Sequence, residues 1–424
     1  MKFHSTRPGD TPVTLGEAIT RGLAANGGLF VPSTWPQFNR SDFARVETLP
    51  EVARILLAPF FEGDSLQPHL PDICAESFSF PIPLRPVDGK GFSILELFHG
   101  PTAAFKDVGA RFLAAVMHRL EHDNSDPLTI LVATSGDTGG AVAAAFHGRS
   151  GIEVKVLYPA GMVSPRQEKQ LTCWGGNVAA FRVDGAFDDC QALVKQAFAA
   201  GLDRRLSSAN SINIGRLLPQ SVYYAAASLW HWRETGQSAS FIVPTGNLGN
   251  AVAAVWARHM GLPIERIVLA TNANRVIPDF LATGDWQPVP SIATLASAMD
   301  VGDPSNMERL RDLYKEFATL RQHVDAYTVN DDCIRKQIVD DYRDYGELWC
   351  PHTATAVHVF DNETDVATDN MIVVATAHPA KFETVIEPLI DTAIEIPPAL
   401  SRLLHLDSHL VSIPADFSSF ARHL

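Results

Sequence analysis

Lys106 is the residue whose position most invites chemistry. It stands in ELFHGPTAAFKDVGARFLA (96–114), between an apolar stretch and the start of a helix, with little nearby in sequence to pair its charge. Ile94 to Phe98 reads as a short buried strand, while Val108, Phe112, Leu113, Val116, Met117 and Leu120 recur at helical spacing. Tight strand-to-helix connections of this kind are where α/β enzymes place ligand contacts. The bland alternative is a surface lysine whose stem covers apolar neighbours while its ammonium stays in water.

Three polar loops follow strand-like runs. In ATSGDTGGAVAAAF (133–146), Thr134, Ser135, Asp137 and Thr138 offer hydroxyls and a carboxylate, and Gly136 lets backbone N–H groups approach a ligand at a helix N-terminus. In PTGNLGNAVAAVW (244–256), Gly246 and Gly249 can wrap main-chain amides around a phosphate, with Asn247 and Asn250 as side-chain donors. In ATAHPAKF (375–382), Thr376 closes a strand and Pro379 suits the first turn of a helix. Each loop alone also reads as an ordinary Gly/Asn turn with a cap. The spacings match neither a P-loop nor G-x-G-x-x-G. A lysine amine together with a phosphate-cupping glycine loop suits pyridoxal phosphate, because a partly desolvated lysine has a lowered pKa and forms Schiff bases.

The elements that must position these residues alternate along the chain. Strand-like runs lie at 128–134, 153–159, 177–183, 240–245, 266–271 and 371–376, with helices between them at 187–200 and 249–260. This pattern predicts mainly parallel sheets flanked by helices, with ligands at the carboxyl ends of the strands. Residues 1–90 mix helices and loops, including a capped amphipathic helix in TLGEAITRGLA followed by the turn NGG. Residues 284–306 read as a long loop region and 395–424 as a helical tail.

The 424 residues suffice for two or three domains, and the formal net charge of -14 argues against a nucleic-acid partner. No run approaches a membrane span or a secretory signal. Five cysteines without a CxxC pair fit a reduced cytoplasmic protein, and neither they nor the fifteen histidines show metal-ligand spacing.

FHGPTAAFKD, ATSGDTGGAVAAAF, SPRQEKQ, SANSINIGRLLPQ, PTGNLGN, AMDVGDPSN and TAHPAKF, in this order, strongly resemble the threonine synthase family. The resemblance is closest to its longer bacterial and yeast branch, and runs from KFHSTRPGDTPVTLGEAITRGLAANGGLFVP to PADF. It implies a tryptophan-synthase-β-like, fold type II α/β architecture of two parallel-sheet domains with an extra N-terminal domain. The corresponding boundaries are 1–90 for the N-terminal domain, 91–124 plus 236–424 for the larger cofactor-binding domain, and 125–235 for the smaller one.

The implied reaction converts O-phospho-L-homoserine and water to L-threonine and phosphate with pyridoxal 5'-phosphate, in a cytoplasmic monomer or homodimer. Lys106 matches the family's Schiff-base lysine, and Phe105 is expected beside the cofactor ring. Gly246, Asn247, Leu248, Gly249 and Asn250 match the loop for the cofactor phosphate, and Thr376 the residue facing the pyridine nitrogen. Asp137 falls near the cofactor's phenolic oxygen, where many relatives carry Asn. Thr134, Ser135 and Thr138 resemble the loop that receives the substrate carboxylate, and Asn210, Ser211 and Arg216 the group that binds its phosphate. Lys169 and Lys381 read equally as helpers to that phosphate or as solvated charges. Rival readings are another enzyme of this fold, such as a serine/threonine dehydratase or a β-replacement enzyme, a homologue with a different substrate, and a binding protein with a decayed site.

Overall fold

The computed structural model describes residues 1–121, 124–363, 366 and 370–424. Its strands in chain order are β1 (Phe3–Ser5), β2 (Phe30–Pro32), β3 (Leu84–Pro86), β4 (Ser93–Glu96), β5 (Leu128–Ala133), β6 (Ile152–Pro159) and β7 (Val178–Asp184), then β8 (Leu206–Ser208), β9 (Ala239–Pro244), β10 (Ile264–Thr271), β11 (Asp325–Thr328), β12 (Met371–Ala375) and β13 (Leu410–Pro414). A six-stranded sheet has the order β11-β10-β9-β12-β4-β3, and a five-stranded sheet the order β13-β7-β6-β5-β8. All ladders in both are parallel except β3 with β4. Every residue of β5, β9 and β12 is buried. Helices cover both faces of these strands, which is why they read as continuous apolar runs without polar alternation.

The first helices are α1 (Leu15–Arg21), α2 (Leu49–Phe61), α3 (Leu70–Ser77), α4 (Lys106–Glu121), α5 (Asp137–Phe146) and α6 (Pro165–Thr172). They are followed by α7 (Phe187–Ala199), α8 (Ile214–Leu217), α9 (Ser221–Thr235) and α10 (Gly249–His259). The expected capping box of α1 is present: the Glu17 N–H donates to Thr14 Oγ1 at 3.4 Å, and the Thr14 N–H donates to Glu17 Oε2 at 2.8 Å. The N-terminal helices pack on the catalytic body, α3 and α1 on α4 and α2 on α9, with Phe61 and Phe112 edge to face at 6.1 Å. The end of α1 also receives hydrogen bonds from Ser207 Oγ and Asn213 Nδ2, both at 2.9 Å to carbonyls of Thr20 and Ile19. The N-terminal region thereby braces the segment that leads to Arg216.

One sequence expectation is corrected. The tail after residue 395 is not purely helical: β13 extends the five-stranded sheet beside β7, so the chain returns from the larger lobe to the smaller. As an edge strand with mostly exposed side chains, β13 carries no apolar alternation to announce it. β3, drawn from the segment read as N-terminal, joins the edge of the six-stranded sheet. α9, at the end of the stretch assigned to the smaller domain, packs on α10 and α2. Residues 284–306 form the expected irregular stretch, with one 3₁₀ turn at Ser297–Met299.

Candidate active site

β4 ends just before the loop that delivers Lys106, and β12 ends just before 376–382. Their polar extensions are stitched together: the Phe105 N–H donates to the Thr376 carbonyl at 2.8 Å, and the His378 N–H donates to the Ala103 carbonyl at 3.0 Å. Ala103 holds φ +54 to make the turn, a strained backbone of the kind found at functional sites. Thr102 secures the other side, its N–H and Oγ1 donating to Asp107 at 2.9 and 2.6 Å. Lys106 is thus the first residue of α4, on a rigid turn, half-buried and without a hydrogen bond or ion pair among the described residues. Its Nζ lies 5.7 Å from the centre of the Phe105 ring. Burial lowers its pKa to about 8, and Lys381 and Arg216 push the same way against the opposing pull of Asp137. Such an amine is still mostly protonated at pH 7 but holds a far larger neutral fraction than an ordinary lysine, and the neutral form attacks a carbonyl.

Asp137 begins α5 on the other sheet, buried, with Lys381 Nζ at 2.9 Å and Gln167 Nε2 at 3.0 Å on the same carboxylate oxygen. Burial works to raise this carboxyl, but the charges of Lys381 and Lys106 outweigh it and hold the group well below the usual carboxylate range. Lys381 is fully buried, so the solvated-charge reading fails for it. Lys169, by contrast, bonds Ser408 Oγ at the surface. Thr134 is buried and its Oγ1 accepts the N–H groups of Gly136 and Gly139 at 3.0 and 2.9 Å, capping the loop. Ser135 and Thr138 stay half-exposed with free hydroxyls.

The glycine loop has the form a phosphate needs. A Cβ on Gly246 would lie 2.5 Å from Met299 Cα and 2.7 Å from its carbonyl oxygen, so only glycine fits. Leu248 adopts φ +62 immediately before α10, turning the chain so that the helix N-terminus faces the cradle. Asn250 Oδ1 accepts the hydroxyls of Tyr223 and Tyr224, and its buried Nδ2 has no partner among the described residues. Asn247 is tied into the loop, its Nδ2 donating to Ser211 Oγ at 2.8 Å and its Oδ1 accepting the Ser305 N–H at 2.7 Å. Thr376 is buried, its N–H donating to Thr353 Oγ1 at 3.3 Å and its own hydroxyl free. A cradle closed to any side chain, an orphaned buried amide and a lysine of lowered pKa fit pyridoxal phosphate.

Arg216, Asn210 and Ser211 sit on and before α8. Arg216 is buried, donates to the Ala209 carbonyl, and leaves Nε buried without a partner. No carboxylate pairs with it among the described residues, and burial lowers its pKa to about 10. Asn210 Oδ1 is likewise buried and unpartnered. Ser211 Oγ receives Asn247 and, at 3.3 Å, Asn306.

Sequence reasoning missed several residues of this site. Arg309 is fully buried and donates to the carbonyls of Phe30, Ser211 and Ile212 at 3.2, 3.0 and 2.7 Å, welding the N-terminal segment to the Ser211 turn. Asn306, from the quoted motif AMDVGDPSN, donates to the Asn247 carbonyl at 2.8 Å. His352 is buried, accepts the Ala298 N–H at Nε2 (3.1 Å), and is held down to about 4 by burial, hence neutral. The Pro-His-Thr start of the helix Pro351–Asn362 was the available signal for His352 and Thr353.

A half-buried lysine of lowered pKa at one strand-to-helix turn and a glycine cradle at another, both after strands of the six-stranded sheet, define a pyridoxal-phosphate enzyme of the two-lobed α/β class. The family described as "Pyridoxal-phosphate dependent enzyme" matches residues 82–377, with "Threonine synthase N terminus" over 2–78 and "Threonine synthase, C-terminal" over 353–423. The chain is 37% identical to the threonine synthase of Escherichia coli, covering 100% of this chain and 99% of that protein. The pyridoxal-phosphate-bound threonine synthase structure from Brucella melitensis superposes with a TM-score of 0.91 at 33% identity, covering 100% and 98% of the two chains. The yeast threonine synthase structure gives 0.90 at 28% identity, covering 100% and 97%. The chain belongs to the threonine synthase family.

Proposed function

We propose that this chain converts O-phospho-L-homoserine and water into L-threonine and inorganic phosphate. The observation that carries the reading is Arg216, a buried guanidinium with no carboxylate in ion-pair contact among the described residues, only the longer-range pull of Asp107, and close enough to Lys106 to lower its pKa. A buried cation without a contacting acid is disfavoured unless an anion arrives, and a phosphate answers its fork geometry. A dehydratase or racemase acting on an unphosphorylated amino acid has no use for such a group.

Bound pyridoxal phosphate supplies an electron sink for negative charge developing on the substrate carbons. The chain's residues do the rest. Gly246–Asn250 and the N-terminus of α10 hold the cofactor phosphate, and Phe105 and Thr376 bound its ring. Ser135, Thr138 and the amides opening α5 receive the substrate carboxylate. Arg216, Asn210 and Ser211 hold the phosphate that leaves from Cγ. Lys106, freed by the incoming amine, takes the Cα and Cβ protons and returns protons to Cα and Cγ, while water adds at Cβ. The two lobes exclude bulk water from these steps. Unbridged cysteines support a reducing, cytoplasmic setting.

The test is phosphate release and threonine formation from O-phospho-L-homoserine by the cofactor-loaded protein. Equal amounts of both products from the wild type and neither from Lys106→Ala are expected. Phosphate without threonine, or no phosphate from a protein that binds the cofactor, overturns the reading.

A further inference from the structure

We propose that Lys381 is a positioning residue that makes a carboxylate at Asp137 compatible with the cofactor site and sets the charge seen by Lys106. The inference rests on the reading of Lys106 as the cofactor's anchoring amine. It goes beyond that reading in giving Asp137 and Lys381 a joint role.

The geometry carries it. Lys381 is 0% exposed and Asp137 4% exposed, with Nζ and Oδ1 2.9 Å apart. The same Nζ donates to the Thr102 carbonyl at 2.7 Å, so one ammonium touches the first residue of α5 on one lobe and the loop before Lys106 on the other. Gln170 Nε2 joins it on the Thr102 carbonyl at 2.9 Å, and Gln167 joins it on Asp137. Both glutamines come from SPRQEKQ, whose Ser164 Oγ donates to the Lys381 carbonyl at 2.8 Å and whose Arg166 holds Ala380 and Glu387. The motif therefore cages the pair. With two of its donors committed, Lys381 is a poor contact for substrate phosphate.

The charge consequence follows from which groups face which. Lys106 is faced by Asp137 from α5, Lys381 from the turn Pro379–Phe382 and Arg216 from α8. Asp137 is faced by Lys381, Lys106, Cys350 and His352, the last neutral, and Lys381 is faced also by the buried carboxyl of Asp107. Without Lys381, the buried carboxylate must draw its compensation from Lys106, which then keeps its proton to higher pH and loses nucleophilicity. An asparagine at position 137 would need no such counter-charge. In this chain Asp137 and Lys381 together stand in for a neutral hydrogen-bonding group.

The experiment follows uptake of pyridoxal phosphate by the apoprotein, by absorbance, as a function of pH, for wild type, Lys381→Met, Asp137→Asn and the double variant. Uptake requires neutral Lys106, so its rate rises as that amine deprotonates. Lys381→Met is expected to move the rise to higher pH by a unit or more, Asp137→Asn to move it lower, and the double variant to return it toward wild type. If Lys381→Met fails to fold while the double variant folds with a near-wild-type profile, the inference stands. It is overturned if Lys381→Met coincides with wild type, or if the double variant is no better than Lys381→Met in fold or profile. Threonine formation does not enter, so a chain that takes up cofactor but acts on another substrate leaves the inference intact. Failure of the wild type to take up cofactor would overturn the reading of Lys106 beneath it.

Discussion

Replacing Arg216 with methionine tests whether the site is built around an absent anion. Arg216 is 3% exposed, and burial brings its pKa down to about 10, a penalty of roughly 3 kcal/mol against the charged form in the folded state. Against this stands one charge-assisted hydrogen bond to the Ala209 carbonyl, worth about 1.5–3 kcal/mol. The two nearly cancel. Arg216→Met should therefore leave the substrate-free, cofactor-loaded protein within about 2 kcal/mol of wild type, on either side. Loss of a fully buried side chain would otherwise be expected to cost more. Inorganic phosphate should separate the two proteins. At a hundred times its dissociation constant it stabilises wild type by about 2.7 kcal/mol and the variant not at all. The assay is unfolding of the holoprotein with and without phosphate, with chloride matching ionic strength, the cofactor keeping the glycine loop occupied. Loss of two charge-assisted contacts should also raise KM for the phosphorylated substrate by roughly 10²–10⁴-fold. A variant destabilised far beyond 2 kcal/mol (as ~4 kcal/mol would be), with an undiminished phosphate response, would refute the argument.

Gly246→Ala places a methyl 2.5 Å from the Met299 backbone, and overpacking of about 1–3 kcal/mol should weaken cofactor affinity roughly 5- to 150-fold, measurable by equilibrium dialysis. Lys106 has its pKa lowered to about 8 in the folded protein, so between that pH and its unfolded value the unfolded chain binds more protons. Apoprotein stability relative to Lys106→Met should then rise as pH increases through 8, in paired denaturation curves; a flat difference would contradict the assigned burial. Asn306→Ala removes donors to the Asn247 carbonyl and Ser211 Oγ; cofactor dissociation should accelerate about 5- to 30-fold for ~1–2 kcal/mol lost, followed by fluorescence, and an unchanged rate would exclude the anchoring role.

Much of this protein is legible without coordinates. The strands that carry the site are buried on both faces, so their apolar runs announce them, and each is followed by glycine or hydroxyl residues that are ordinary in one turn but point to a ligand when several strand ends share them. That is why Lys106, 134–138, 244–250 and 376 could be picked out together. The weak edge strands β8, β11 and β13 escaped, since three to five residues with partly exposed side chains leave no periodic trace.

What the sequence determined by itself was local: the alternation of strand and helix, the capping of α1, the loops at strand ends, and a set of motifs whose order marks the family. Tertiary structure alone decided the partners. Lys381 and Lys169 look alike in sequence, yet one is caged against Asp137 and the other lies at the surface, because burial depends on how two distant sheets face each other. Asn247 and Asn250 occupy one loop, but contacts with Ser211 and Ser305 from other segments commit the first while the second keeps a free buried donor. Arg309 becomes a strut only when Phe30 and Ser211 arrive beside it. Charge compensation and hydrogen-bond satisfaction act over a few ångströms in space, and pairs separated by hundreds of residues acquire them only on folding.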